Sequence, residues 1–266
     1  MAGQITVTQT RQPAPDSPST RRLLVIIPAF NEEDSLGRVI RAVQTAQPEA
    51  TILVINDGST DATADIAEGY GALVASLPYN QGIGSAMQTG FLYARDCRYD
   101  VAVQVDGDGQ HNPTEISDLL TALDEGDADV IIGSRYLEDR GYITPALRRA
   151  GIIFLARVIS LITGQAFTDP TSGFRAINRR AIAFCAEDYP FDYPEPEAVV
   201  LFRRAGLRVR EIPVTMNPRY GGQSSITPLR SIYYMVKVVM AILIGLLRQR
   251  PRATGEVQVI DANPNA

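Results

Sequence analysis

Short apolar runs alternate with amphipathic segments along most of the chain, and this alternation restricts the fold more than any other feature of the sequence. Five apolar runs, at 23–28, 51–56, 72–77, 101–105 and 129–133, have the composition of buried strands. The segments at 35–47, 60–70, 84–96 and 114–123 carry helical spacing. Because continuously apolar strands are covered on both faces, the pattern predicts an α/β fold with a mostly parallel, Rossmann-like sheet and helices on both faces.

The composition of the chain argues against a nucleic-acid-binding protein and against a disulfide-rich or zinc-thiolate protein. The 266 residues are 45% hydrophobic, which is enough to bury one large core. A formal net charge of -5 lacks the basic footprint of nucleic-acid binding, so no nucleic-acid partner is expected. Cys97 and Cys185 stand far apart without a CxxC motif, which favours a reducing compartment over a disulfide framework or a thiolate zinc site.

Polar loops follow three of the predicted strands. The sequences are PAFNEED at 28–34, NDGSTD at 56–61 and DGDGQH at 106–111. The carboxyl ends of parallel strands share one edge of a sheet, where ligands bind in such folds. The paired carboxylates of Asp106 and Asp108 suit Mg²⁺ or Mn²⁺, whose oxygen shell a substrate phosphate can complete. The alternative is a surface turn, for which DGDG is a favourable sequence.

Competing site chemistries are disfavoured by the residues present. The segment GIGSAM at 82–87 has Met87 where a dinucleotide-binding fingerprint needs a third glycine, and no GxxxxGK[ST] pattern occurs. His111 is the single histidine, which excludes a metal site built on several imidazoles. No GxSxG motif accompanies it, so a loop position near the metal is favoured over a general-base role.

Six motifs resemble, in their order, those of family 2 glycosyltransferases with the A-type fold. They are PAFNEED, NDGSTD, the Asp106-Gly-Asp108 pair, GSRY at 133–136, DPTSGFRA at 169–176 and RYGGQSS at 219–225. The resemblance covers 23–226 and is greatest for dolichyl- or polyprenyl-phosphate sugar transferases. It implies inverting transfer of a hexose from a nucleotide-diphosphate sugar to a polyprenyl phosphate, such as dolichyl or undecaprenyl phosphate. Asn56 stands where the family often has a further aspartate, so one acceptor becomes an amide.

Carried over residue by residue, the resemblance implies a role for each motif. The nucleotide-sugar-binding residues are Pro28, Ala29, Asn31, Glu32, Asp57, Asp106, Asp169 and Arg219. The ligands of Mg²⁺ or Mn²⁺ are Asp106, Asp108 and Gln110. The catalytic residues are Asp108, Arg135 and Glu197. The acceptor phosphate faces Arg148 and Arg149.

Several of these roles have structural alternatives. Arg135 and Arg219 suit the charge of a leaving diphosphate because a guanidinium binds phosphate through paired donors, but each could be a solvated surface charge. Asp169 lines the sugar site or caps the turn at Pro170.

The need for a general base depends on the acceptor. A hydroxyl acceptor requires a base, whereas a phosphate is already largely ionised at neutral pH. In the family the base lies near the start of a late helix, here at Glu195 or Glu197. Glu197 is the candidate retained, with capping of the helix N-terminus as the alternative.

Two late apolar helices bear on the acceptor. Over 148–163, Arg149, Arg157, Ser160 and Thr163 fall on one arc and most aliphatic residues on the other, with Ile153 as the exception. Over 228–248 the charges Arg230, Lys237 and Arg248 fall on one line. The apolar run 238–247 would reach about 15 Å against about 30 Å of hydrocarbon. The pattern therefore favours helices in the membrane interface, with packing on the domain or an oligomer interface as the alternative.

The resulting organisation has four parts. We expect a disordered tail at 1–21 without the apolar run of a signal peptide, a catalytic domain at 22–227, an amphipathic helix at 228–248 and a second tail at 249–266. A cytoplasmic protein peripheral to the inner face of the plasma membrane, which could form a homo-oligomer, fits this arrangement. The alternative functions are transfer to a glycan or soluble hydroxyl acceptor and an inactive nucleotide-sugar-binding membrane scaffold.

Overall fold

An eight-stranded sheet forms the centre of the computed structural model, which describes residues 7–8, 21–140, 144–217 and 228–247. The strands are β1 (Val7–Thr8), β2 (Leu23–Ala29), β3 (Thr51–Asn56), β4 (Leu73–Ser76), β5 (Val101–Gln104), β6 (Val130–Ser134), β7 (Arg175–Asn178) and β8 (Val209–Pro213). Their spatial order is β1-β4-β3-β2-β5-β7-β6-β8. The neighbours β4, β3, β2 and β5 are parallel, as are β6 and β8. β1 and β7 run antiparallel to their neighbours.

Eight α-helices accompany the sheet in the described residues. They are α1 (Leu36–Ala46), α2 (Thr63–Gly69), α3 (Ile83–Asp96), α4 (Ile116–Asp124), α5 (Ala146–Thr163), α6 (Arg179–Glu187), α7 (Pro194–Arg204) and α8 (Pro228–Leu247). A short 3₁₀ turn, Pro113–Glu115, precedes α4. The side chain of Asn178 accepts the N–H of Ala181 and thereby caps the start of α6.

The sheet separates two apolar cores because successive side chains of a strand point to opposite faces. In β2, Leu24 and Ile26 face the core that α3, α5, α6, α7 and α8 cover. Val25 and Ile27 face the core that α1, α2 and α4 cover. All four side chains are fully buried. The predicted mostly parallel sheet with helices on both faces is therefore confirmed.

The sequence pattern did not predict β7 or β8. β7 begins with the buried Arg175, and β8 carries charged residues at Arg210 and Glu211, so neither shows a continuous apolar run. β8 lies at the edge of the sheet, where one side of a strand faces solvent. β1 pairs with β4 although its residues lie in a polar segment.

The apolar arc predicted for 148–163 packs on the domain. Ile152, Leu155 and Ile159 are buried in the core beneath α5, so this arc is not the surface that could enter a membrane. α8 likewise buries Val238 and Ile242. Both helices also expose other apolar side chains, which are Ile153, Phe154, Leu161, Val236, Met240, Leu243, Ile244 and Leu247. In the described part of the chain, none of the helices has the length and hydropathy of a membrane span.

Asp129 organises the edge of the sheet opposite to the polar loops. Its carboxylate accepts hydrogen bonds from the backbone and side chain of Arg208 and from the side chains of Asn178 and Arg180. Burial raises the pKa of Asp129, but the hydrogen bonds together lower it by more than burial raises it. The net pKa therefore lies below its usual value.

Candidate active site

The polar loops meet at one edge of the sheet because the strands that they follow are parallel. β2, β3 and β5 all end at this edge, and β6 delivers Arg135 to it. β7 runs in the opposite direction, so its first residue, Arg175, also lies there, paired with Gln104 and Ile132. Residues from five strands therefore converge.

The loops after β2 and β3 are joined by hydrogen bonds. Asn31 has a left-handed backbone with φ 54°, a conformation that asparagine tolerates better than most residues. Its N–H donates to Ser59 Oγ at 3.0 Å, and its Oδ1 accepts the N–H of Thr60 at 2.9 Å. The N–H of Glu32 donates to Thr63 Oγ1 at 2.9 Å. The two loops thus form one preorganised rim beside Pro28 and Ala29.

Asp57 connects this rim to the start of α3. Its buried carboxylate accepts the N–H of Gln81 at 2.7 Å and that of Gly82 at 2.9 Å. Its own N–H donates to the carbonyl of Ala29 at 2.9 Å. Asp57 therefore anchors three segments, and its contact with a base or ribose stays a prediction.

The acidic motif places its two carboxylates in different environments. The side chain of Asp106 is 33% exposed, whereas Asp108 is buried and accepts the N–H of Gln110 at 2.9 Å. Between them, a Cβ at Gly107 would lie 3.4 Å from the carbonyl oxygen of Pro28. The acidic motif and the loop after β2 thus lie within van der Waals distance of each other.

The residues of the acidic motif suit a hard cation whose oxygen shell a substrate phosphate completes. The described residues contain no group of three or more His, Cys, Asp or Glu side chains arranged as a metal site. Asp106, Asp108 and Gln110 offer two carboxylates and one amide, which matches the few oxygen ligands that Mg²⁺ takes from proteins when phosphates supply others.

Arg135 and Asp169 form a buried ion pair. Arg135 Nε donates to Asp169 Oδ2 and Nη2 donates to Oδ1, each at 2.6 Å, and the backbone N–H of Arg135 donates to Oδ2 at 3.1 Å. Arg135 Nη2 also donates to Thr171 Oγ1 at 2.8 Å. The side chains are 8% and 0% exposed. The sequence proposed a role for each residue separately and did not predict that they pair.

Glu211 supports the loop that carries Asp169. It is on β8, and its carboxylate accepts the N–H groups of Thr168 and Asp169, both at 2.8 Å. Burial raises the pKa of Glu211, and these hydrogen bonds oppose the rise. The anchor of the Asp169 loop therefore comes from a distant part of the chain, which the motif at 169–176 does not reveal.

Arg175 and Glu195 are in contact with each other close to the acidic motif. Arg175 is 3% exposed, and its guanidinium donates to the carbonyls of Pro170, Ser172 and Glu195. Burial raises the pKa of the Glu195 carboxyl, the charge of Arg175 lowers it and that of Asp106 raises it, with a net rise. The sequence placed Arg175 in a motif but gave it no role, and the arginine at the start of a short strand was the available signal.

Tyr136 joins the ion pair to α5. The guanidinium carbons of Arg135 and Arg149 lie 5.5 Å and 5.3 Å from the centre of its ring, within the range of cation–π contacts. Tyr136 and Arg149 are among the residues that line a groove of about 770 Å³ along α5. The other lining residues are Ile153, Ala156, Arg157, Ser160, Leu161, Gly164, Gln165, Ala166, Phe167 and Thr168.

The remaining predicted site residues are Arg148, Glu197 and Arg219. Arg148 is exposed on the first turn of α5. Glu197 lies in the first turn of α7, where its N–H donates to the carbonyl of Tyr193 at 3.3 Å. Arg219 lies outside the described residues, so its predicted role stays a prediction.

Comparisons with known proteins agree with the fold and the motifs. Residues 24–184 match the model of the family described as glycosyl transferase family 2. The chain is similar to polyprenol monophosphomannose synthase of Mycolicibacterium smegmatis, with 33% identity over 90% of this chain and 92% of that protein. It is also similar to undecaprenyl-phosphate mannosyltransferase of Micrococcus luteus, with 32% identity over 77% of this chain and 88% of the relative.

Solved structures show the same fold. A crystal structure of glucosyl-3-phosphoglycerate synthase from Mycobacterium tuberculosis, in complex with Mn²⁺, uridine diphosphate and glucosyl-3-phosphoglycerate, superposes with a TM-score of 0.61. The identity is 23%, over 85% of this chain and 79% of the other. The matched family model and the similarity to the Mycolicibacterium smegmatis enzyme show that the chain belongs to glycosyl transferase family 2 and is a nucleotide-sugar-dependent glycosyltransferase.

Proposed function

We propose that the protein transfers a hexose from a nucleoside-diphosphate sugar to a polyprenyl phosphate, with inversion at the anomeric carbon and with Mg²⁺ or Mn²⁺. The observation that carries the proposal is the groove along α5, which combines guanidinium groups with an apolar wall beside the sheet edge. The two relatives are named for transfer of mannose to polyprenyl phosphates, which supports the same acceptor class.

The acidic edge suits the donor. Asp106, Asp108 and Gln110 would hold the cation, and the similar structure with Mn²⁺ and uridine diphosphate supports that pairing of metal and nucleotide. A bound divalent cation acts as a Lewis acid toward the oxygens of the departing diphosphate. The protein itself contributes the rim at Asn31 and Asp57, whose fixed backbone preorganises the nucleotide side.

The groove along α5 suits an amphiphilic phosphate. Arg149 and Arg157 can donate paired hydrogen bonds to phosphate oxygens, and Ile153, Leu161 and Phe167 offer apolar surface to a prenyl chain. Arg148, on the same first turn as Arg149, adds positive charge to this end of α5. The contact of Tyr136 with both Arg135 and Arg149 supports an acceptor groove next to the proposed donor side.

A phosphate acceptor removes the need for a general base. Its second pKa is about 6, so it is largely a dianion at neutral pH and can attack the anomeric carbon directly. A single displacement of this kind inverts the anomeric configuration. Glu195 and Glu197 would then contribute to structure or electrostatics.

A hydroxyl acceptor is the second candidate. Burial raises the pKa of Glu195, the charge of Arg175 opposes the rise and that of Asp106 adds to it, and a carboxyl group with a raised pKa is a candidate general base. Under this alternative Glu195→Gln or Glu197→Gln would nearly abolish turnover, and a lipid phosphate would not be a substrate.

Peripheral binding to the cytosolic face of the plasma membrane accompanies the proposal. Phe154 and Leu161 on α5 and Val236 and Met240 on α8 expose apolar surface, and Lys237 is exposed among them. Such surface binds an anionic bilayer through apolar burial and charge. A self-association interface would use the same residues, so vesicle co-sedimentation and light scattering of the free protein distinguish the two.

A donor panel tests the proposed reaction. The purified chain is incubated with short-chain polyprenyl phosphate, Mg²⁺ or Mn²⁺, and GDP-mannose, UDP-glucose or a dTDP-sugar in turn, and the product is identified by mass spectrometry and by the anomeric coupling constant in NMR. We expect a prenyl-phosphate hexose of inverted configuration, lost with chelator and in Asp108→Asn. Asp96→Asn, which changes an exposed carboxylate at the end of α3, is the matched control. Full activity in chelator, or transfer only to hydroxyl acceptors, would contradict the proposal.

A further inference from the structure

His111 is a buried residue whose side chain contacts Asp106 of the acidic motif. Its side chain is 3% exposed, and its ring stacks on that of Phe174 with 4.9 Å between centroids and 20° between planes. Phe174 is itself fully buried just before β7. The backbone of His111 also pairs with Met216 in an isolated bridge. The ring is therefore packed against Phe174, and the backbone that carries it is paired.

Both nitrogens of the ring face the same residue. Nδ1 accepts the backbone N–H of Asp106 at 2.9 Å, and Nε2 lies 3.5 Å from Asp106 Oδ2. A ring nitrogen that accepts a hydrogen bond carries no proton, so the proton of the neutral imidazole is on Nε2, on the side of the carboxylate. One ring thus contacts both the main chain and the side chain of Asp106.

This geometry argues against two other roles for His111. The lone pair of Nδ1 is engaged by the Asp106 N–H, and Nε2 bears the proton, so the neutral ring offers no lone pair to a metal or to a substrate proton. The burial of the ring against Phe174 also separates it from the open side of the edge.

We propose that His111 is a positioning residue that fixes the main chain and carboxylate of Asp106 toward the cation and the donor diphosphate. The inference rests on the proposed role of Asp106 as a metal ligand. A rotation of the Asp106 peptide would leave its N–H without an acceptor, so the imidazole restrains the backbone from which the carboxylate projects. The backbone N–H of Asn217 donates to the carbonyl of Gln110 at 2.8 Å, which holds the other end of the motif.

Two substitutions of similar size isolate the hydrogen bond. In His111→Asn, the side-chain Oδ1 stands at the position of the imidazole Nδ1 and can accept the Asp106 N–H. In His111→Leu, the shape is similar but no acceptor is present. Both variants lose the stacking on Phe174. If His111 acted only through that packing, the two variants would therefore bind Mn²⁺ with the same affinity.

The measurement is Mn²⁺ affinity of the full chain, by electron paramagnetic resonance and calorimetry, alone and with UDP or GDP. We expect His111→Asn to bind Mn²⁺ within about threefold of the wild type and His111→Leu to bind it about 10–100-fold more weakly. Thermal unfolding by circular dichroism establishes that each variant is folded. Should His111→Leu not fold, His111→Phe, which keeps an aromatic ring against Phe174 without an acceptor, takes its place.

The outcomes separate this inference from the proposed reaction. Equal Mn²⁺ affinities of the variants with and without the acceptor overturn the positioning role, whatever their value. A wild type that does not bind Mn²⁺ under any of these conditions overturns both this role and the metal-dependent reaction. A difference in Mn²⁺ affinity together with no transfer to prenyl phosphate supports the positioning role and refutes only the acceptor.

Discussion

Removal of Asp169 should destabilise the protein more than any surface substitution. Asp169→Ala takes away the carboxylate that accepts three hydrogen bonds from Arg135, whose side chain is 8% exposed in the intact pair. The hydroxyl of Thr171 remains as an acceptor for Nη2 and cannot neutralise the charge. The variant therefore contains a buried cation whose principal counter-ion is missing.

The expected magnitude follows from that burial. Breaking a buried ion pair by removing one partner costs about 3–5 kcal/mol. Against a typical unfolding free energy of about 5–15 kcal/mol, this loss is between about a fifth and all of the stability. The double variant Arg135→Met and Asp169→Leu replaces both charges by apolar groups, so it should lose less stability than either single variant.

Urea unfolding followed by circular dichroism and tyrosine fluorescence measures the effect, since the chain contains no tryptophan. The control is Asp96→Asn, which breaks an exposed pair with Arg95 and should change stability by about 1 kcal/mol or less. A loss for Asp169→Ala no larger than that of the control would refute the argument from burial.

The double variant also separates structure from chemistry at Arg135. If the guanidinium also stabilises the leaving diphosphate, the double variant regains stability but not turnover. Turnover that returns together with stability would assign the pair a structural role alone and remove Arg135 from the predicted catalytic residues.

Three further predictions concern other parts of the fold. A Cβ at Gly84 would collide with the backbone at 190–191, so Gly84→Ala should lower the thermal midpoint by the equivalent of about 1–3 kcal/mol, whereas Gly245→Ala, with open space around it, should not. Burial raises the pKa of the Cys185 thiol, so of the two cysteines at most one should react with a thiol reagent before unfolding. Because the folded-state pKa of Asp129 is lowered, its stabilising contribution is present above the unfolded-state pKa of about 3.9 and is lost as the pH falls through the folded value. The difference in urea midpoint between wild type and Asp129→Asn should therefore shrink below about pH 4, and a constant difference would contradict this.

The sequence predicted those parts of the fold that depend on local pattern. The five strands β2 to β6 are apolar and mostly buried, so their hydrophobicity alone identifies them. β7 and β8 are stabilised by sheet partners from distant parts of the chain, and their buried or half-buried charges hide them from a hydrophobicity pattern. Tertiary pairing, which no local window contains, decides such strands.

The site shows the same division. Asp106 and Asp108 follow a buried strand and were recognisable from position and residue type. The pairing of Arg135 with Asp169, 34 residues apart, and the support from Glu211 arise only when the loops fold together. For α5 the helical periodicity was predictable, but which arc meets the core depends on the neighbouring helices α7 and α8.

The antiparallel direction of β7 has a consequence for the evolution of the family. The chain leaves the sheet at the end of β6 and re-enters it at the start of the adjacent β7, where Ile132 pairs with Arg175. Departure and return points are therefore neighbours, as at the base of a hairpin, and α5 belongs to the excursion between them. A segment tethered in this way can be lengthened, shortened or exchanged without altering strand register, so the groove along α5 can change while the sheet and its polar loops stay the same.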